Sequence, residues 1–136
     1  MLERAARARG LHHHLDVLVP VPTHLLKRFS RGIDHTRIIA EELARSLDLK
    51  VLRALRREHP TVAQGQARGP RERQAQVRGA FRAVRSLAGL RIGLVDDLVT
   101  SGATARECAR VLLAAGAAHV VLLVVATPRF RRGSRP

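Results

Sequence analysis

The chain alternates short, nearly unbroken apolar runs with amphipathic stretches, and polar or basic segments separate them. Leu15 to Val21 (LDVLVPV) is a compact apolar run closed by prolines, which predicts a buried strand. In RIIAEELARSLDL, Ile38, Ile39, Leu43 and Leu47 recur at helical spacing. A helix is expected there, capped by Asp34 or Thr36, with Glu41 and Glu42 in its exposed turns. KVLRALRR alternates as a strand does, and EHPTVAQGQARGPRERQAQ has no apolar period, so it predicts a long loop. Such a loop inside a small domain is functional or disordered in most cases. VRGAFRAV reads as the strand returning from it. RIGLVDD predicts a strand, TARECARVLLAAGA a helix with Gly116 at its C-terminal cap, and HVVLLVVAT a last strand with His119 at the turn before it. No internal repeat is evident.

This order of elements predicts an α/β domain with a mainly parallel sheet and helices on both faces. The unbroken run Val120 to Ala126 suits a strand covered on both sides. With 136 residues, one domain over 15–128 is expected, preceded by a helical or frayed lead-in over 1–14 and followed by a basic tail over 129–136. No run approaches the roughly 20 apolar residues of a membrane span. MLERAARARG has no apolar core of a secretory signal, so a cytoplasmic protein is expected. The single cysteine, Cys108, excludes an internal disulfide and an all-cysteine zinc site, and its place on a helix predicts packing rather than reactivity. His12, His13 and His14 are adjacent, which does not set them on one face for a metal; a linker is the simpler reading.

Charge changes the picture. The net charge is +14, and nearly all the bases are arginine, whose planar fork grips phosphate. That fits nucleic acid and small phosphorylated ligands alike, and a general compositional bias toward arginine accounts for it equally well. Phe29, Phe81 and Phe130 are the aromatics, few for a platform that stacks single-stranded bases. Taken one at a time, Arg68, Arg71, Arg73, Arg78, Arg82, Arg85 and Arg91 read as a solvated basic face, and Gln64 as a loop amide.

The stretch GLVDDLVTSGATA, residues 93–105, carries the most specific chemistry. Ligands of open parallel sheets sit outside the carboxyl ends of the strands, and Asp96 and Asp97 fall at such an end. Thr100, Ser101, Gly102, Ala103 and Thr104 then lead into a helix N-terminus, where free N–H groups and the dipole favour an anion. Two acceptors beside a cup of donors match a ribose 5-phosphate: hydroxyls to the carboxylates, phosphate to the cup. The bland alternative is a strand end followed by a capped helix. A phosphoacceptor receiver domain also uses paired acids, but gives the cup no role.

IGLVDDLVTSGAT resembles the phosphoribosyl-pyrophosphate signature of type I phosphoribosyltransferases. VPVP, KRFSRG, the Arg-Arg-x-x-x-Thr-x-x-Gln of 56–64 and the Arg-x-x-x-Val-Arg-Gly-Ala-Phe of 73–81 resemble the ComF family of competence-associated proteins, over about Val17 to Ala126. The resemblance implies that Asp96 and Asp97 bind the ribose hydroxyls, and touch metal only through the ligand. It implies that Thr100 to Thr104 hold the 5-phosphate, that Pro22 to Gly32 form the pyrophosphate loop with Arg28 and Arg31, and that the loop from Thr61 to Gln76, with Arg71 and Arg73, closes over the site. Mg²⁺ rides on the pyrophosphate. Implied partners are phosphoribosyl pyrophosphate or a nucleoside monophosphate, and, through the link to DNA uptake, single-stranded DNA and the competence machinery; a homodimer is compatible with the fold. The implied activity is phosphoribosyl transfer to a base or amine, with a non-catalytic ligand- or DNA-binding module as the alternative. Two departures bear on catalysis. Asp34 stands where the family has an amide, and Gln76 stands where it has Asn. The family's cysteine-rich, zinc-binding segment is not among these residues, which implies a short form or a fragment.

Overall fold

The computed structural model of the chain describes residues 10–22, 34–58, 69–98 and 102–126. In chain order these form β1 (Val17–Pro20), α1 (His35–Leu47), β2 (Lys50–Val51), β3 (Leu55–Arg57), α2 (Pro70–Val77), β4 (Phe81–Ala83), β5 (Arg91–Leu98), α3 (Ala103–Ala114) and β6 (His119–Ala126). Among the described residues, a four-stranded sheet runs in the order β2-β1-β5-β6 with every neighbour parallel, and β3 and β4 make a separate antiparallel pair. The expected α/β architecture is therefore present.

The pleat of β5 divides the core. Ile92 and Leu94 join Val19, Phe81, Leu87, Cys108 and Leu112 on the α3 side. Val95 joins Leu18, Leu43, Leu47 and Leu123 on the α1 side. Successive strand residues face opposite ways, so one apolar run serves both layers. Gly93 leaves space for three leucines: a Cβ there would lie 2.6 Å from Leu18 Cδ2 and 3.1 Å from both Leu15 Cδ1 and Leu123 Cδ1. At the start of the sheet, Asp16 clamps Arg91. Its carboxylate accepts the Arg91 backbone N–H at 2.8 Å and both guanidinium arms at 3.0 and 3.2 Å. Arg91 is thus a strand clamp and not part of a free basic face. The paired guanidinium lowers the Asp16 pKa below the usual carboxylate range.

Four expectations need correction. In α1, Ile38 is 44% exposed, and the buried stripe is Thr36, Ala40, Leu43, Ala44 and Leu47. Two alanines in that stripe let the helix lie close to the sheet. Asp34 caps it, its side chain accepting the Arg37 N–H at 3.2 Å, while Thr36 is buried. KVLRALRR splits: β2 joins the parallel sheet and β3 the antiparallel pair, with Ala54 buried between them. The proposed loop through Gln76 ends in a helix, α2, with Pro70 in its first turn and Glu72 near the positive end of its dipole. Its residues are good helix formers without an apolar stripe, so periodicity could not find it. Finally, among the described residues β6 pairs on one side only, and Leu122 and Val125 are 41% and 44% exposed, so the strand is not covered throughout. Strand position in a sheet is a tertiary property that an apolar run does not encode.

The α3 C-terminus carries a Schellman pattern at the expected glycine. Gly116 N–H bonds to the Leu113 carbonyl at 3.0 Å and Ala117 N–H to the Leu112 carbonyl at 3.1 Å. Gly116 has φ +104°, and a Cβ there would stand 3.1 Å from the Ala88 Cα. Gly116→Ala should therefore lower the unfolding free energy by about 1–3 kcal/mol in a urea titration, through left-handed strain and a backbone clash.

Candidate functional site

Both βα crossovers bring chain to one end of the sheet. α1 lies between parallel β1 and β2, and α3 between parallel β5 and β6, so each helix runs back against its strands. The helix N-termini therefore share an edge with the strand C-termini. β5 reaches this edge between β1 and β6, and its last residues are Asp96, Asp97 and Leu98. Val21 N–H bonds to the Val95 carbonyl at 2.9 Å, so Pro22 leaves β1 beside the acid pair.

The two acids are neighbours in sequence with different surroundings. Asp96 is 8% exposed on the α3 side of the pleat, and its Oδ1 accepts the Asp97 N–H at 2.9 Å. Asp97 is half-buried and, by strand alternation, belongs to the other side. A ligand that engages both must stand beyond the end of β5 and not against either face. Gly102 opens α3 in the left-handed region at φ +77°, and its carbonyl accepts the Arg106 N–H at 2.9 Å. Having no side chain, it leaves the helix entrance open. Behind it Ala103 and Ala105 are buried, and Thr104 is half-buried.

The structure thus brings together Asp96, Asp97, Pro22, Gly102, Ala103 and Thr104. Arg71 stands exposed on the first turn of α2, and Arg73 is on the same helix, in the crossing between β3 and β4. They belong to a helix and not to the β5–α3 junction. Arg28, Arg31, Gly32, Thr100 and Ser101 lie outside the described residues. Among the described residues no group of three or more His, Cys, Asp or Glu side chains is arranged to hold a metal ion. Two carboxylates are what this edge offers a cation, which fits an ion that takes its other oxygens from a ligand.

Cys108 lies beneath the site and is fully buried. Burial pushes its thiol well above the usual range, and the Asp96 and Glu107 carboxylates push it further. It packs, as its helical position suggested, and supplies no thiolate.

Glu107 was not singled out by sequence. It is 6% exposed, and its Oε1 accepts both the Gly79 N–H at 3.0 Å and Arg110 Nη2 at 2.6 Å. Its Oε2 accepts Arg110 Nε at 3.0 Å. The carboxylate ties the turn between α2 and β4 to the helix that starts at Gly102. In sequence, Glu107 and Arg110 look like a surface i,i+3 pair; the α2–β4 turn bonds to Glu107, which is buried, while Arg110 stays exposed.

Among solved structures, the chain is similar to a purine phosphoribosyltransferase from Pyrococcus horikoshii Ot3, at 16% identity and TM-score 0.59, covering 93% of this chain and 69% of that one. It is also similar to glutamine phosphoribosylpyrophosphate amidotransferase from B. subtilis, at 23% identity and TM-score 0.58, covering 93% of this chain and 26% of that one. The fold is that of the type I phosphoribosyltransferases. Among curated proteins, the chain is 32% identical over 123 residues to DNA utilization protein YhgH of Salmonella typhimurium, covering 85% of this chain and 51% of the relative. It is 26% identical over 128 residues to competence protein F of Haemophilus influenzae, covering 88% and 55%. The chain is a homologue of these competence and DNA utilization proteins, as its motifs suggested, and spans about half their length. No family model matches it.

The Glu107 clamp has a pH signature. Arg110 holds the Glu107 carboxyl below its usual 4.5, with help from the Gly79 N–H and against burial. The unfolded chain then binds more protons, so this stabilisation is full above about pH 4.5 and is lost as pH falls through the lower folded value. Glu107→Gln should be roughly 1–2 kcal/mol less stable than the native chain in urea at pH 7, with the gap closing below pH 4.

Proposed function

We propose that the chain binds a phosphoribosyl ligand, phosphoribosyl pyrophosphate or a nucleoside monophosphate, at the carboxyl end of β5. One observation carries this reading: a buried and a half-buried carboxylate end the central strand, just before the left-handed Gly102 that opens α3. Asp96 and Asp97 accept the ribose hydroxyls. Thr100, Ser101, Gly102, Ala103 and Thr104 donate to the 5-phosphate at the helix entrance. Pro22 opens the pyrophosphate loop, where Arg28 and Arg31 stand, and Arg71 and Arg73 approach from α2. Mg²⁺ carried by the ligand would supply neutralisation of the pyrophosphate charge, and Asp96 and Asp97 would meet it only through the ligand. In phosphoribosyl transfer, a nitrogen nucleophile forms a bond to ribose C1 as the bond from C1 to the pyrophosphate oxygen breaks, and pyrophosphate leaves with the electron pair. The protein's part is positioning, charge-assisted pairing to the leaving group and exclusion of water. The acceptor is a base or an amine.

A second reading is a non-catalytic module acting on single-stranded DNA through its basic surface. The names of the homologues and the +14 charge favour it.

Calorimetric titration with phosphoribosyl pyrophosphate and Mg²⁺ tests the first reading. The native chain should bind, and Asp96→Asn with Asp97→Asn should weaken binding tenfold or more, about 1.4 kcal/mol per decade, with circular dichroism unchanged. Unaltered binding by the folded double variant would remove the ligand from this edge. A screen of bases and amines for pyrophosphate release then separates transferase from module.

A further inference from the structure

Two helices begin at the acid edge, and the chain fills their entrances differently. α3 opens at Gly102 with no acid in its first turn, so its N–H groups and dipole stay open to an anion. α1 opens at Asp34, which is half-buried and whose Oδ1 accepts the Arg37 N–H at 3.2 Å. A carboxylate there satisfies a helix donor from within and sets a negative charge where an external anion would otherwise be drawn. Among the described residues no cation pairs with Asp34. Arg37, the nearest arginine along α1, is held 2.9 Å from Glu41 Oε1. The path of the chain keeps Asp34 near the ligand edge. Pro22 leaves β1 beside the acid pair, and Asp34 starts α1 at the same edge of the sheet. Ala40 and Leu43 of α1 share a cluster with Val95, the residue before Asp96. By strand alternation Asp97 belongs to that same side of the sheet. Among the described residues Asp34 joins no group of three acids that would share a cation.

We propose that Asp34 is a specificity-determining residue: its carboxylate acts against a pyrophosphate on ribose C1, and so shifts the preference of the acid edge from phosphoribosyl pyrophosphate toward a ribose 5-phosphate with an uncharged C1 group, as in a nucleoside monophosphate. The proposal rests on the reading of this edge as a phosphoribosyl site and decides between the two ligands which that reading allows. Both ligands offer ribose hydroxyls to Asp96 and Asp97 and a 5-phosphate to the α3 entrance. They differ at C1 alone. A pyrophosphate there brings several negative charges toward the start of α1, whereas a base brings none. Arg28 and Arg31, in the segment before Asp34, favour the pyrophosphate by charge, and Asp34 subtracts from that attraction. Repulsion between partly exposed groups is modest and screened by salt, so it sets a preference between ligands and not an exclusion.

The test is calorimetric titration with ribose 5-phosphate and with phosphoribosyl pyrophosphate, the latter with and without Mg²⁺. The native chain is compared with Asp34→Asn and Glu42→Gln. Asparagine caps a helix as well as aspartate does, so Asp34→Asn removes the charge and keeps the cap. Glu42→Gln makes the same change of net charge at an exposed residue of the same helix, about 12 Å further along its axis. Asp34→Asn should tighten phosphoribosyl pyrophosphate about fivefold at low salt and change ribose 5-phosphate by less than about twofold, with the gain shrinking as salt rises. Glu42→Gln should change neither by more than about twofold. A tighter complex is a result that loss of structure cannot imitate. Equal gains from both variants would overturn the proposal in favour of net charge, and an unchanged preference in Asp34→Asn would overturn it outright. So would a loss of affinity confined to the titration with Mg²⁺, which would make the carboxylate a support for the ligand's cation. Ribose 5-phosphate keeps the two readings apart. If Asp96→Asn with Asp97→Asn weakens its binding, the acid-edge site holds whatever Asp34 does. If neither ligand binds the native chain or Asp34→Asn, both readings fall.

Discussion

The burial of β5 between β1 and β6 governs the rest of the molecule. A parallel strand with neighbours on both sides and a helix over each face must be apolar throughout, and Ile92, Leu94 and Val95 are fully buried. Polar residues can enter such a strand only where the cover ends. Asp96 and Asp97 mark that limit. The parallel order then obliges α1 and α3 to begin at the same edge, so the acids at a strand end and the N–H groups of a helix entrance share that edge. At the opposite end the Asp16–Arg91 clamp holds β1 and β5 in register, which keeps Pro22 beside the acids.

The accessory pair β3–β4 follows a different logic. Its inner side belongs to the core through Phe81 and Ala54, and Arg57 lies 5.2 Å from the Phe81 ring. Its outer side is charged. A pair of three-residue strands has little stability alone, and here it leans on α3 through the packing of Phe81 and through Glu107. The helix α3 therefore also supports the turn between α2 and β4. The helix after Gly102 and the turn at Gly79 share one structural support, the Glu107 carboxylate.

The β5–α3 unit was legible in the sequence because its residues are contiguous. The apolar strand, the acid pair, the small hydroxyl-bearing run and the helix lie within residues 91–114, and local pattern suffices for such a unit. The homologues named for competence and DNA utilization agree with motifs spread from residue 17 to 126. What escaped detection was assembled from distant residues. Glu107 is buried, and its partner Gly79 lies 28 residues away. The α2 helix has no apolar face to betray it. The facing of Arg56 and Arg82 arises from a pairing register that no single strand contains.

Sequence alone determined the parallel α/β class, the acid pair at a strand end, the helix entrance after it and the glycine cap at 116. These are matters of local periodicity, turn chemistry and the sterics of a missing Cβ. Tertiary structure decided which strand is central and which, among the described residues, pairs on one side only. It decided that adjacent acids face different layers, that Arg91 is a clamp, and that Arg56 stands opposite Arg82. Those depend on which segments meet in space, and burial and charge pairing are settled only when they do.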